Sequence, residues 1–136
     1  LLCFFPYRAM EARVMTALSG AGFTDITPAQ SRVFQRVGPA GTRVTDLAEQ
    51  ARISKQTATF LVDQLERAGY VERVADPTDA RARLVRIATR GADVVAIARQ
   101  VEAEVEAEWA RHLGPRDTQH LRRALIRLRE IADPYR

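Results

Sequence analysis

The stretch Ile53–Ile87, "ISKQTATFLVDQLERAGYVERVADPTDARARLVRI", changes its hydrophobic period part-way along. In its first half Ala58, Leu61, Val62 and Leu65 fall at i, i+3, i+4 and i+7, which gathers them on one face of a helix. Ser54 sits where a side-chain oxygen can cap the free N–H groups of that helix. Gly69 supplies its stop. Beyond it, the runs Tyr70–Ala75 and Arg83–Ile87 have strand composition and flank seven residues, "DPTDARA". A hairpin that only closed a sheet would be made more tightly by a two-residue Asn-Gly or Asp-Gly turn. An exposed tip carrying Asp79 and Arg81 therefore asks for a second purpose.

Working outward, "RVTDLAEQARI" predicts a short helix with Thr45 as its cap, Leu47 and Ala48 inward, and Arg52 near its end. Only two or three residues separate it from the helix after Ser54. Two short helices joined by a tight turn, the second amphipathic with a polar first turn, form a helix-turn-helix. Ahead of it, Thr27 with Pro28 and Gln30 approaches a capping box, and Gly38-Pro39 ends that helix. Pro6–Ser19 has helical composition and stops at Gly20 and Gly22; a start before Pro6 predicts a kink there. Downstream, Val94, Ala98, Val101, Val105 and Trp109 keep one seam along a long helix. After Pro115, Leu121, Ala124, Leu125, Leu128 and Ile131 keep another. Both seams suit helix packing across a subunit interface. The resulting fold class is mostly α with a small β-hairpin: a helix-turn-helix followed at once by a two-stranded wing.

Length and composition narrow the function. A chain of 136 residues, 46% hydrophobic, fits one compact domain with an oligomerisation element. No apolar run approaches the ~20 residues of a membrane span. "LLCFFP" lacks a basic leader, the first residue is not Met (so residues are expected before Leu1), and one Cys excludes an internal disulfide framework. A cytoplasmic protein is expected. The formal net charge is +4, and residues 28–91 hold eleven Lys/Arg against seven Asp/Glu. His112 and His120 have no Cys or carboxylate at ligand spacing, so no metal is expected. No nucleophile–base set or phosphate-binding Gly loop is visible, so neither an enzyme nor a cofactor is expected.

A helix after Ser54 is wide enough to fill the DNA major groove, with its N-terminal residues deepest. Lys55 is the only lysine in the chain and stands at that point, followed by Gln56, Thr57 and Thr59. The wing tip can reach a minor groove, where Arg81 is the favoured residue type. Asp79 is positioned to grip the Arg81 guanidinium, and Arg83 adds a second charge. The plainer readings are a solvated helix start and a surface ion pair that orders a loop. A wing without basic residues would instead fit a protein-interaction module.

The segment "LAEQARISKQTATFLVDQLERAGYVERVADPTDARARLVRIATRG" resembles the MarR-type (multiple antibiotic resistance) regulators in its "L-E-x-x-G-x-V-x-R" and "D-P-x-D-x-R" elements, followed by "ATRG" where the family's pattern is "L-T-x-x-G", and the resemblance extends over essentially the whole chain. It implies a regulator of transcription, a repressor released by a small-molecule effector, that binds a pseudo-palindromic double-stranded operator as a homodimer. It divides the chain into an N-terminal dimerisation helix and linker (1–27), a winged helix-turn-helix DNA-binding domain (28–91) and C-terminal dimerisation helices (92–136). DNA-contacting residues are then expected at Thr45, Ser54, Lys55, Gln56, Thr57, Thr59, Phe60, Asp79, Arg81 and Arg83. Phe60 stands where many members carry Arg or another polar residue. It removes one phosphate or base contact, or substitutes an apolar contact with a thymine methyl. Ala88-Thr89 replaces the usual Leu-Thr. The resemblance also implies an effector cleft for small aromatic molecules, with Phe5, Phe23, Phe34 and Trp109 as candidate walls, although aromatics at helical spacing are usually core. "LCFFPY" is similar to the start of the peroxide-sensing branch, with Cys3 as the sensor thiol and Tyr7 as its support. Ala17 stands where that branch has a second tyrosine.

Overall fold

The computed structural model describes residues 1–135; Arg136, the last residue of the expected C-terminal arm, lies outside the described residues. The elements are α1 (Phe4–Gly20), α2 (Pro28–Phe34), α3 (Val44–Ala51), α4 (Lys55–Arg67), β1 (Val71–Asp76), β2 (Asp79–Ile87), α5 (Thr89–Leu113) and α6 (Pro115–Ala132). The architecture is mostly α with one antiparallel hairpin, in the expected winged helix-turn-helix order.

Several boundaries follow from local chemistry. Thr27 Oγ1 accepts from the Gln30 N–H at 3.2 Å while Gln30 Oε1 accepts from the Thr27 N–H at 3.0 Å, so the box that opens α2 is complete. Ser54 Oγ accepts the Thr57 N–H at 3.0 Å and opens α4. α1 starts two residues before Pro6, which places the missing N–H in a first turn that has no intrahelical partner for it.

Two expectations fail for tertiary reasons. Thr45 does not cap α3. Arg43 holds the N-cap position in extended conformation, and Thr45 is the second helical residue. The chain enters α3 already fixed, because Thr42 exchanges backbone hydrogen bonds with Val85 of β2 at 2.9 and 2.8 Å. Gly41 (φ +90°) allows this approach: a Cβ there would lie 2.9 Å from Leu84 Cβ.

The wing loop is also shorter than the seven residues expected. Only Pro77 and Thr78 lie between the strands, and Asp76 pairs with Asp79. The Asp76 carboxylate folds this turn from inside, accepting the Thr78 N–H at 2.8 Å and its hydroxyl at 2.7 Å. The next pair is Ala75 with Arg83, so Ala80, Arg81 and Ala82 bulge from β2.

The core gathers Leu18, Val33, Leu47, Val62, Leu65, Tyr70 and Val85, each nearly inaccessible. The seam of α5 buries Val94, Val101 and Val105, and α5 packs on α1 of the same chain. By contrast α6 has no buried residue; Leu121, Leu125, Ile126, Leu128 and Ile131 all face solvent. Where α5 begins, the helix lies directly on the end of α4. A Cβ at Gly91 would sit 2.1 Å from the Tyr70 carbonyl oxygen and 3.1 Å from the Phe34 ring. Gly91→Ala is therefore expected to destabilise the fold by about 3 kcal/mol or more in urea unfolding. Gly20→Ala, where a Cβ meets nothing within 4 Å, should change it by less than about 1 kcal/mol.

Candidate nucleic-acid interface

α4 turns its buried residues Ala58, Leu61, Val62 and Leu65 toward the core. Successive residues advance by about 100° around a helix, so the stripe diametrically opposite is Gln56, Phe60, Asp63 and Arg67. Lys55, Gln56 and Thr57 are exposed, and Lys55 forms no ion pair among the described residues. Thr57 Oγ1 accepts from the Ser54 hydroxyl at 2.8 Å, and Thr59 is half-buried. Lys55, Gln56, Thr59, Phe60 and Asp63 line a shallow groove of about 650 Å³.

The wing is fastened to α4 through Arg73 of β1. Its guanidinium meets Asp63 at 2.7 Å and Glu66 at 2.8 Å, and its N–H donates to Glu66 at 3.0 Å. Arg83 donates to the Arg73 carbonyl at 3.2 Å. Arg43, not singled out in the sequence, bridges to Asp76 at 2.8 Å and to Asp79 at 3.8 Å, tying the start of α3 to the wing turn. The carboxylate of Asp79 does meet Arg81, but through the Arg81 backbone N–H at 3.0 Å and not through its guanidinium. The Arg81 side chain is exposed and has no acidic partner among the described residues.

A second cluster joins the wing to the flanking helices. Tyr70 is fully buried and its hydroxyl donates to Asp25. Arg90 bridges to Asp25 at 2.7 Å, donates to the Ala68 carbonyl at 2.8 Å, and lies over the Tyr70 ring at 4.5 Å. Burial, and then the Asp25 carboxylate, push the Tyr70 hydroxyl up to about 12. Arg90, and then Tyr70, hold Asp25 down to about 2.

The helix-turn-helix and wing are also where the chain is similar to known proteins. Residues 24–82 match the model of the MarR family. That match takes in the helix-turn-helix and most of the wing, and it is to the MarR family that this part of the chain is similar. It is 25% identical over 124 residues to the exopolysaccharide II synthesis transcriptional activator ExpG of Rhizobium meliloti (strain 1021), covering 91% of this chain and 63% of that relative. The chain thus spans less than two thirds of the length of the curated relative it matches. A crystal structure of MarR superposes with TM-score 0.75 at 24% identity, covering 96% of this chain and 94% of that one. A mutant of S. aureus MepR bound to an oligodeoxyribonucleotide superposes with TM-score 0.63 at 20% identity, covering 93% and 92%.

The residues expected to serve in regulation are placed as follows. The four aromatic residues expected to wall a cleft occupy different surroundings. Phe5 is exposed, Phe34 is core, Phe23 lies under Arg90 at 5.5 Å, and none of the four lines either described cavity. Cys3 is exposed just before α1, while the Tyr7 hydroxyl donates to Glu11 at 3.1 Å and not to the thiol.

The wing turn and the Tyr70 cluster set an acid limit. The backbone N–H and hydroxyl of Thr78, then Arg43, hold Asp76 down to about 2. For Asp25 and Asp76 the folded-state value lies below the ordinary 3.8, so their stabilisation is complete above that pH and is lost as pH falls toward 2. Urea midpoints measured across this window should drop steeply for the native chain. They should drop less for Asp25→Asn with Asp76→Asn, which begins less stable at neutral pH.

Proposed function

We propose that this protein is a transcription regulator that binds double-stranded DNA as a homodimer, on a pseudo-palindromic operator. The observation that carries the reading is an unpaired Lys55 with Gln56 and Thr57 on the exposed leading turn of α4, joined through Arg73 to a wing whose Arg81 is also unpaired among the described residues. Cations without acidic partners are what phosphate and an electronegative minor groove attract. The leading turn of α4 is the part of a recognition helix that reaches base edges. MepR, of the same fold, is bound to an oligodeoxyribonucleotide, which supports the assignment.

Residues 28–91 act as the DNA-binding unit, and 1–27 with 92–136 as dimerisation arms. The apolar face of α6 and the exposed Phe4 and Phe5 favour this, since a single copy leaves them in water. Two copies would set their α4 helices about 34 Å apart, one turn of DNA. A small aromatic effector that favours another spacing would change occupancy about 5–150-fold for a coupling of ~1–3 kcal/mol. Repression by occupying the operator is the first reading. The activator role named for ExpG favours a second, in which the same complex recruits transcription.

Selection from a random duplex pool should return an inverted repeat. Arg81→Ala is then expected to weaken binding to all sequences and to lower the log–log salt slope by about one. Gln56→Ala should instead cost about 1–3 kcal/mol at particular bases. A complex insensitive to salt would contradict the assignment. In sedimentation, Leu121→Asp with Leu125→Asp should give a folded monomer whose operator affinity falls on the order of 10²-fold through lost bivalency.

A further inference from the structure

Phe60 is the one large apolar residue on the outward stripe of α4. It is 57% exposed, and it belongs neither to the core nor to the apolar shell packed around it. It follows Gln56 by four residues and precedes Asp63 by three, so it lies opposite the buried face and not beside it. Packing inside the chain therefore gives no reason for a phenyl ring at this position. The neighbours describe what the ring meets. Lys55 and Gln56 share its groove, and the Asp63 carboxylate that would repel phosphate is paired with Arg73 at 2.7 Å.

We propose that Phe60 is a specificity-determining residue that packs against the C5-methyl group of a thymine in each half-site. This role rests on the DNA-binding reading above and deepens it. The major-groove edges of the four base pairs differ in hydrogen-bonding pattern, but only thymine presents a methyl group. An aromatic side chain cannot satisfy the donors and acceptors of the other bases, and it gains most where an apolar group replaces water. Phe60 thus selects thymine at one position while Gln56 selects neighbouring bases by hydrogen bonds.

The test replaces each thymine of one half-site, in the best duplex selected by the full chain, with deoxyuridine. This removes the methyl and keeps every hydrogen-bonding group. Fluorescence anisotropy should show about a fourfold loss of affinity at one thymine, the worth of one buried methyl, and little change at the others. Phe60→Ala should bind the thymine and deoxyuridine duplexes equally well, whereas Phe60→Leu keeps part of the preference. Because the ring is exposed, neither variant should lose its fold. A selected half-site with no thymine, a native chain indifferent to deoxyuridine throughout, or a preference that survives in Phe60→Ala each overturns the proposal while leaving DNA binding intact. A chain that retains no duplex even at low salt overturns the parent reading, and this one with it.

Discussion

The arrangement depends on the close contact between Gly91 and the carbonyl of Tyr70. At this point the end of α4, the first strand of the wing and the start of α5 meet with no room for a side chain. The Ala88 N–H donates to the same carbonyl at 3.0 Å, so its oxygen both accepts a hydrogen bond and lies against the first turn of α5. Arg90, one residue before Gly91, crosses the Tyr70 ring and reaches Asp25 in the α1–α2 connection. A buried phenol, a carboxylate and a guanidinium thereby fix the angle at which the long helix leaves the winged helix-turn-helix. Such a network is worth keeping only if fully paired, since an orphaned buried group would cost more than the bond it replaced.

The same logic organises the wing. Asp76 is nearly inaccessible, yet both its oxygens are occupied, one by Thr78 and the other by Arg43. Arg73 has only its edge exposed and holds two acidic residues of α4. Several arginines of the winged helix-turn-helix are therefore committed to structure. Arg52, Lys55, Arg67, Arg81 and Arg83 have no acidic partner among the described residues, and of these Lys55 stands at the leading turn of α4 and Arg81 in the bulge of the wing.

Much of this was legible in the sequence where the cause is local. Thr27, Ser54 and Gly69 announce helix ends through their own side chains or backbone freedom, and the Ala58–Leu65 spacing identifies the inward face of α4. What failed was set by distant partners. Thr45 lost the capping role because Thr42 pairs with Val85, far along the chain. The wing loop shrank because Asp76 turns the chain on itself while Arg43 holds it from another helix. The α5 seam pointed to an apolar partner, and α1 of the same chain packs on that helix; periodicity cannot tell one apolar partner from another. In the same way, a ring's spacing along the chain says nothing about which rings share a cavity. For Phe60 the sequence showed the anomaly, and only its exposure showed that the core does not use it.

The proposal that α4 and the wing of one subunit grip the same duplex, with Arg81 in the minor groove beside the site read by α4, is tested most directly by affinity cleavage. A Cys3→Ser, Arg81→Cys chain carrying an iron chelate on its single thiol is bound to the selected operator. Two symmetric patches of strand scission are expected, each in the minor groove flanking a half-site. Scission that is absent, confined to the centre of the operator, or spread evenly along the duplex would contradict it.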